Sequence, residues 1–540
     1  MTWSSLFLVL GSLAEAHYLP LYPRELTLTT SVTDVPDYFQ TETELYPGPT
    51  ATGQAPLLAE TNPAPFGASR TIVPNDPLET AIPISGEPDG ANIFTMMGQL
   101  TPGFGAQEYP LPSGAEIFQV HMLHRHGSRY PTNGSSVQSF GSRIENATQY
   151  YNFTGELSFL NNWSYNLGYD ILVPKGRQEL FDSGVFHYYQ YGGLYNTSSK
   201  IIARTTTQDR MMKSAENFMT GFFGLDWTDN ATLEVIIEGD YGTGVWNNSL
   251  AGYYNCENSN LYQSQGGENA SEIWVATYLA NATKRFQKLA GGYNWTIQDT
   301  YDMQTMCPYE TVGYGYSAFC GLFTYSEWQG FEYSIDLDFY GDDGFGSPTG
   351  RATGIGYVAE FLARLKHHLI TSPVGQDNVT LDNNTVTFPL DQSLYFDFSH
   401  DTNIDSVLTA FGLTQFSQYL PLTGPPENQQ MVVSHRTPFG ARLDIEIIKA
   451  PQPVSESRSA SSPYISGNAT TYVHFILNQR TIPLGRSFSA CGSRDDGWCE
   501  LSAFMSVMKN ATEEAQYDYS CNGDYPSEAW GAIQNGRPIS

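Results

Sequence analysis

Apolar residues along this chain follow two rhythms. From Glu116 to Leu123 the run Glu-Ile-Phe-Gln-Val-His-Met-Leu is rich in strand formers and stops abruptly at turn-forming residues around Gly127 and Pro131, which predicts a strand followed by a loop. A second strand is predicted over 393–398. It runs into Ser399-His400-Asp401-Thr402 and then into a helical pattern carried by Ile404, Val407, Leu408 and Phe411. Strand, polar junction and helix in that order is an α/β signature. Helical spacing returns over 271–290, where Val275, Leu279, Ala282, Phe286 and Leu289 share one stripe, and over 354–370, where Ile355, Val358, Phe361, Leu365 and Leu369 do, with Pro373 just beyond. Alternation at Leu443, Ile445 and Ile447, and again at Val473, Phe475 and Leu477, predicts late strands that complete a sheet, with the Ser-rich stretch 455–462 as the loop between them.

Before residue 113 the rhythm is lost. Residues 17–112 are rich in Thr, Pro, Gly and Ala and carry breakers such as Pro47-Gly48-Pro49, so they are read as an extended N-terminal arm. Residues 1–16 hold an apolar run, Leu6 to Leu10, and close on Ala14-Glu15-Ala16; they are read as a signal peptide, although no positive charge precedes the apolar centre. No later stretch approaches the ~20 consecutive apolar residues of a membrane span. The expectation is a secreted, extracellular protein with no membrane partner. Fourteen Asn-X-Ser/Thr sequons agree with that compartment. So do six cysteines without a CxxC pair, which point to disulfides in an oxidising environment. Proximity alone suggests Cys307 with Cys320 and Cys491 with Cys499, leaving Cys256 to reach Cys521.

Charge removes one class of function. With 26 Lys+Arg against 56 Asp+Glu the formal net charge is −30, and a nucleic-acid partner, which needs a basic footprint, is not expected. Hydrophobic residues at 40% and aromatic residues at 14% supply ample material for a core, which argues against wholesale disorder.

The candidate chemistry sits where the two central strands end. Arg125-His126-Gly127-Ser128-Arg129-Tyr130-Pro131 places two guanidiniums around one imidazole. Arginine's planar fork matches phosphate oxygens, a turn beside Gly127 can add backbone N–H groups, and a neutral imidazole held against phosphorus is a candidate nucleophile. His400-Asp401 occupies the other junction, at a strand end and a helix start, the crevice where open α/β sheets bind ligands. With the strands side by side, His400 would donate to the phosphate and Asp401 would protonate the leaving oxygen. A metal on His121, His124 and His126 is disfavoured, because strand alternation turns His121 to the opposite face; no metal and no cofactor is expected.

R-H-G-x-R-x-P early and H-D late resemble the histidine acid phosphatase family, in particular its secreted fungal acid phosphatases and phytases. The resemblance extends over roughly 113–525. It includes Cys307-Pro308-Tyr309-Glu310, Phe319-Cys320-Gly321-Leu322-Phe323-Thr324, Glu327-Trp328 and Phe331-Glu332-Tyr333, and also Ile202-Ala203-Arg204-Thr205 followed by Ser214-Ala215-Glu216-Asn217-Phe218. It implies that His126 is phosphorylated, that Arg125, Arg129, Arg204 and His400 hold the phosphate, and that Asp401 donates the proton. It further implies an α/β core sheet flanked by helices with a mainly helical second domain inserted, and a disulfide pattern consistent with the proximity pairing. On this reading 1–16 is the leader, 17–112 the arm and 113–540 the catalytic domain, the helical insertion lying within about 135–335 around a core strand near 200–206. The arm has no counterpart in the family pattern. A further disulfide common in related fungal enzymes has no cysteines here.

The function expected is a secreted acid phosphatase that hydrolyses phosphomonoesters, phytate among them. A dedicated phytase is the nearest alternative, a non-catalytic glycoprotein with this fold the most distant, and a phosphotransferase of the superfamily conflicts with secretion. Broad specificity is favoured because the loop after the heptad, from Thr132 to Ser142, carries no base before Arg143, whereas a hexakisphosphate calls for extra cations. Lys284, Arg285 and Lys288 could supply them from the helical region.

Overall fold

The computed structural model describes residues 111–196, 199–239 and 246–539. The leader and nearly all of the arm lie outside them. The described residues fall within one compact unit. Its centre is a mixed sheet ordered β3-β2-β4-β1-β5-β6-β7, with β8 beside β6. The strands are β1 (Glu116–Arg125), β2 (Ile201–Thr206), β3 (Ala231–Ile236), β4 (Leu394–Ser399), β5 (Arg442–Ala450), β6 (Thr470–Leu477), β7 (Arg480–Ile482) and β8 (Cys499–Glu500). The half that contains β3, β2, β4 and β1 is parallel, and β5, β6 and β7 continue it antiparallel. This is the α/β class that the strand–helix junction at His400 implied.

β1 and β4 are buried on both faces, as near-continuous apolar runs in a parallel sheet should be. One face, through Leu123, Leu443 and Ile445, packs on α8 (Gly350–Leu365) and α10 (Asp401–Ala410). The other, through Val120, Met122, Phe396 and Phe398, packs on α2 (Pro174–Tyr191) and α3 (Asp209–Phe223). A further apolar cluster joins α1 (Ser136–Ala147), α4 (Gly266–Tyr278), α5 (Ala280–Gln287), α6 (Ile297–Tyr314) and α7 (Tyr325–Asp342) around Phe140, Trp295, Phe319 and Trp328. Between α8 and α10 the chain passes through the short α9 (Val379–Asp382) and then β4.

Two helices differ from their predicted spans. The stripe over 271–290 is shared by α4 and α5, which meet at Leu279 where ψ is −1° and the helical ladder is interrupted. The apolar face nevertheless runs on, with Leu279, Ala282 and Phe286 all buried. The helix expected over 354–370 begins earlier, at Gly350, and stops at Leu365, shortly before His367 takes a left-handed φ of 50°. Among the cysteines the pairs are Cys256–Cys521, Cys307–Cys320 and Cys491–Cys499. Most sequon asparagines are exposed, whereas Asn230, Asn247 and Asn378 are partly buried, with side chains in hydrogen bonds to Tyr195, Asp377 and Asn247 respectively. Among the described residues no helix is long and apolar enough to cross a membrane.

Candidate active site

β1 and β4 are neighbours in register, with Arg125 opposite Ser399. Their carboxyl ends therefore deliver His126 and His400 to the same crevice, where the ring centroids stand 5.8 Å apart. Asp401 opens α10, one Oδ accepting the Thr402 N–H at 3.1 Å, a favourable place for a carboxylate at a helix N-terminus. Its other oxygen is 2.7 Å from an Nη of Arg125, which also donates to the Thr437 carbonyl at 2.7 Å and lies 4.4 Å from the Phe439 ring centre.

The orientation of His126 follows from one contact. Nδ1 lies 2.8 Å from the Gly127 carbonyl oxygen, which can only accept, so Nδ1 carries the hydrogen and Nε2 keeps its lone pair. Burial, joined by the charges of Arg125, Arg210, Arg129 and His400, holds this imidazole well below its ordinary pKa. It stays neutral, and so nucleophilic, in acid where an exposed histidine would be cationic.

The cations are crowded. Arg125 is pushed down to about 10 by burial and by Arg129 and Arg210, against the pull of Asp401. Arg210, at the start of α3, is lowered by burial and then by Arg129. The Nε atoms of Arg129 and Arg210 are buried without a hydrogen-bond acceptor among the described residues. Crowded guanidiniums with unmet hydrogens are what a bound anion would satisfy. On the opposite wall His400 Nε2 is 3.1 Å from Glu238, whose other oxygen accepts from Tyr253 at 3.0 Å and from Gln208.

Of the residues singled out in the sequence, Arg125, His126, Arg129, His400 and Asp401 meet here and Arg204 does not. Arg204 lies within β2, opposite Asp397 rather than at the strand end, and is buried there. It donates to Asp397 at 2.7 Å and to Glu360 of α8 at 2.6 Å, in a network completed by Arg364. The third guanidinium of the crevice is instead Arg210. The signal was available: a residue just beyond the end of β2, at the start of the next helix, can face the carboxyl-end crevice, and one inside the strand cannot. Glu238, Gln208 and Tyr253 were also missed, and no local motif marks them.

Two further expectations change. The turn's N–H groups do not face the pocket: Gly127 N–H donates to Ser214 Oγ at 3.2 Å and Ser128 N–H to Glu179 at 2.8 Å. Neither of these two N–H groups is left to hold an anion. Asp401, expected to be protonated, is held below its ordinary value: burial pushes it up, but Arg125, Arg129 and His400 outweigh burial. A bound dianion would offset the arginines and raise the carboxyl.

A neutral imidazole with its lone pair free, three guanidiniums around it and a carboxyl at the helix start define a pocket for phosphoryl transfer to histidine. The chain belongs to the histidine phosphatase superfamily (branch 2), whose family model matches residues 116–478. It is 34% identical over 450 residues to Phytase A of Emericella nidulans, covering 78% of this chain and 89% of that protein. It is 29% identical over 448 residues to the thiamine-repressible acid phosphatase pho4 of Schizosaccharomyces pombe, covering 78% and 88%. Among solved structures the phytase from D. castellii superposes with a TM-score of 0.63 at 24% identity, over 81% of this chain and 89% of that one, a likeness of fold.

Proposed function

We propose that this chain is a secreted phosphoric monoester hydrolase that works through a phosphohistidine at His126. The observation that carries the reading is the Nδ1–H contact to Gly127, which leaves Nε2 as the atom able to attack. Arg125, Arg129, Arg210 and His400 hold the phosphate. The Nε2 lone pair forms the N–P bond as the P–O bond to the alcohol breaks, and Asp401 gives its proton to the departing oxygen. Water then attacks the phosphohistidine, Asp401 takes the water's proton, and inorganic phosphate leaves.

The substrate range is broad, with phytate one ester among several. Two of the bases that could have gripped its outlying phosphates are engaged elsewhere, Arg143 with Asp299 and Asp302, both at 2.8 Å, and Arg285 with Glu327 at 3.0 Å, while Lys284 and Lys288 are exposed. Dedicated phytase activity is the second reading, favoured by the relatives that bear that name. The test is a panel of phosphate esters at several pH values, with His126→Ala beside wild type. Loss of several orders of magnitude in rate is expected in the variant. Near wild-type turnover would refute the mechanism, and a strong kcat/KM preference for phytate over a simple aryl phosphate would refute the broad range.

A further inference from the structure

The segment from Ile171 to Glu179 grips the turn that follows His126. Tyr130 N–H donates to the Ile171 carbonyl and Val173 N–H to the Ser128 carbonyl, both at 3.0 Å. Arg129 and Leu172 form an isolated antiparallel bridge. Gly127 and Gly176 pass so closely that a Cβ on Gly127 would sit 2.2 Å from the Gly176 carbonyl oxygen. Beyond this backbone clasp, Glu179 of α2 takes both hydrogens of Ser128, the N–H and the Oγ–H, each at 2.8 Å.

The N–H of Ser128 and the C=O of Gly127 belong to one peptide unit. That carbonyl is the acceptor of the His126 Nδ1–H. A continuous line therefore runs from the Glu179 carboxylate, through a single planar amide, to the imidazole. Hydrogen bonds in a chain polarise one another, and a negative charge at the N–H end makes the carbonyl oxygen a stronger acceptor.

We propose that Glu179 is a positioning residue for the nucleophile, acting on His126 through the Gly127–Ser128 peptide. The carboxylate fixes the plane of that peptide and so the tautomer and aim of the ring. As Nε2 bonds to phosphorus the ring gains positive charge, its hydrogen remains on Nδ1, and the polarised carbonyl stabilises that charge. The role resembles that of an acid behind a catalytic histidine, with a peptide unit interposed. It rests on the phosphohistidine reading above.

Burial raises the Glu179 carboxyl, partly offset by Ser128 N–H and Oγ–H and by the charges of Lys175 on its own helix and Arg125 at the end of β1. It therefore gains its proton at a higher pH than an ordinary glutamate, and the line to His126 is weakened on the acid side of the profile.

The test compares wild type with Glu179→Gln, of the same shape but uncharged, and with Ser128→Ala, which removes the hydroxyl bond and leaves the N–H bond. An aryl phosphate is the substrate, and kcat and KM are followed against pH alongside Tm. In Glu179→Gln, kcat should fall about tenfold or more, the scale of a hydrogen bond to a charged group, with KM within about twofold and the acid limb flattened. Ser128→Ala should lose less than about threefold. Wild-type kcat in Glu179→Gln, or a loss carried by KM with the acid limb in place, would overturn the proposal. Should Glu179→Gln fail to fold, the wild-type enzyme with ¹⁵N-labelled histidine decides. A His126 Nδ1 resonance that moves as the carboxyl titrates in acid supports the line, and one that stays fixed refutes it. Failure of wild type to hydrolyse any ester, or survival of activity in His126→Ala, would instead overturn the phosphohistidine reading.

Discussion

Gly176→Ala alters a residue that touches no reacting atom, and the outcome can be worked from the close approach of two backbones. An added Cβ would sit 2.0 Å from the Ser128 carbonyl oxygen and 2.7 Å from its nitrogen, whereas real Cβ contacts essentially never fall below 3.0 Å. The neighbour is backbone, so it cannot swing aside as a side chain would. The turn or α2 must move by at least about 1 Å, and a misplacement of about 1 Å near a reacting centre costs on the order of a hundredfold, about 2.7 kcal/mol of barrier. Overpacking should cost only about 1–3 kcal/mol of stability, so the variant should remain folded at assay temperature. The assay is kcat/KM for an aryl phosphate with thermal unfolding on the same sample. A folded variant with kcat/KM within about threefold of wild type would show that the clasp between Gly176 and Ser128 does not hold the nucleophile.

Arg204→Met should lower stability by about 3–5 kcal/mol, because Asp397 and Glu360 lose a buried partner, with KM little changed, whereas Arg210→Met should raise KM and weaken inhibition by inorganic phosphate; thermal unfolding and steady-state kinetics on both variants would expose the reverse pattern. Since Arg125, Arg129 and His400 hold Asp401 below its ordinary value, the protonated fraction shrinks as pH rises and the rate should fall with it. Asp401→Asn should cost about 10²–10⁴-fold with alkyl phosphates and clearly less with activated aryl phosphates, and equal losses would make Asp401 structural. Buried Asp405 is raised to about 6, and Glu332 and Asp377 to about 7, each chiefly by burial. Raised carboxyls stabilise the fold fully below about pH 4 and lose that contribution as pH climbs through 6 to 7, about 3 kcal/mol for Asp405, while the lowered buried His121, His124 and His126 act in the opposite direction and gain stability as pH rises toward 6.5. Asp405→Asn cannot ionise, so its Tm relative to wild type should climb between pH 4 and 8, and a constant difference would contradict the raised value. Replacing Cys256 and Cys521 by serine removes a closure spanning 265 residues, worth at most about 5.6 kcal/mol by loop entropy, and calorimetry should register the loss.

Where local pattern decides structure, the sequence was readable. β1 and β4 are apolar runs with turn residues at their ends, and the junctions at His126 and His400 follow directly. Short-range cysteine pairing needed only proximity. What escaped was decided by groups far away in the chain. Arg204 and Arg210 are six residues apart and equally basic; which one reaches the crevice depends on where β2 ends and on Asp397 and Glu360, brought from other elements by the fold. The N–H groups of Gly127 and Ser128 look available in the heptad until Ser214 and Glu179 arrive to take them. The state of Asp401 was misjudged because its ion pair with Arg125 exists only once β1 and β4 are adjacent. At Leu279 the hydrophobic stripe ran straight through a break that periodicity does not record.

The position of β1 in the sheet bears on how the protein is made. The strand that carries the nucleophile emerges first of the eight, yet its two partners are β4 and β5, and Asp401 lies 275 residues downstream of His126. At about 5–20 residues per second, synthesis leaves this apolar strand without either neighbour for roughly 14–55 s. No fragment ending before β4 can assemble the crevice, so catalytic competence arrives late and all at once. A nascent chain of this design depends during that interval on whatever shields an unpaired hydrophobic strand, and a slower or interrupted synthesis should favour aggregation over partial activity.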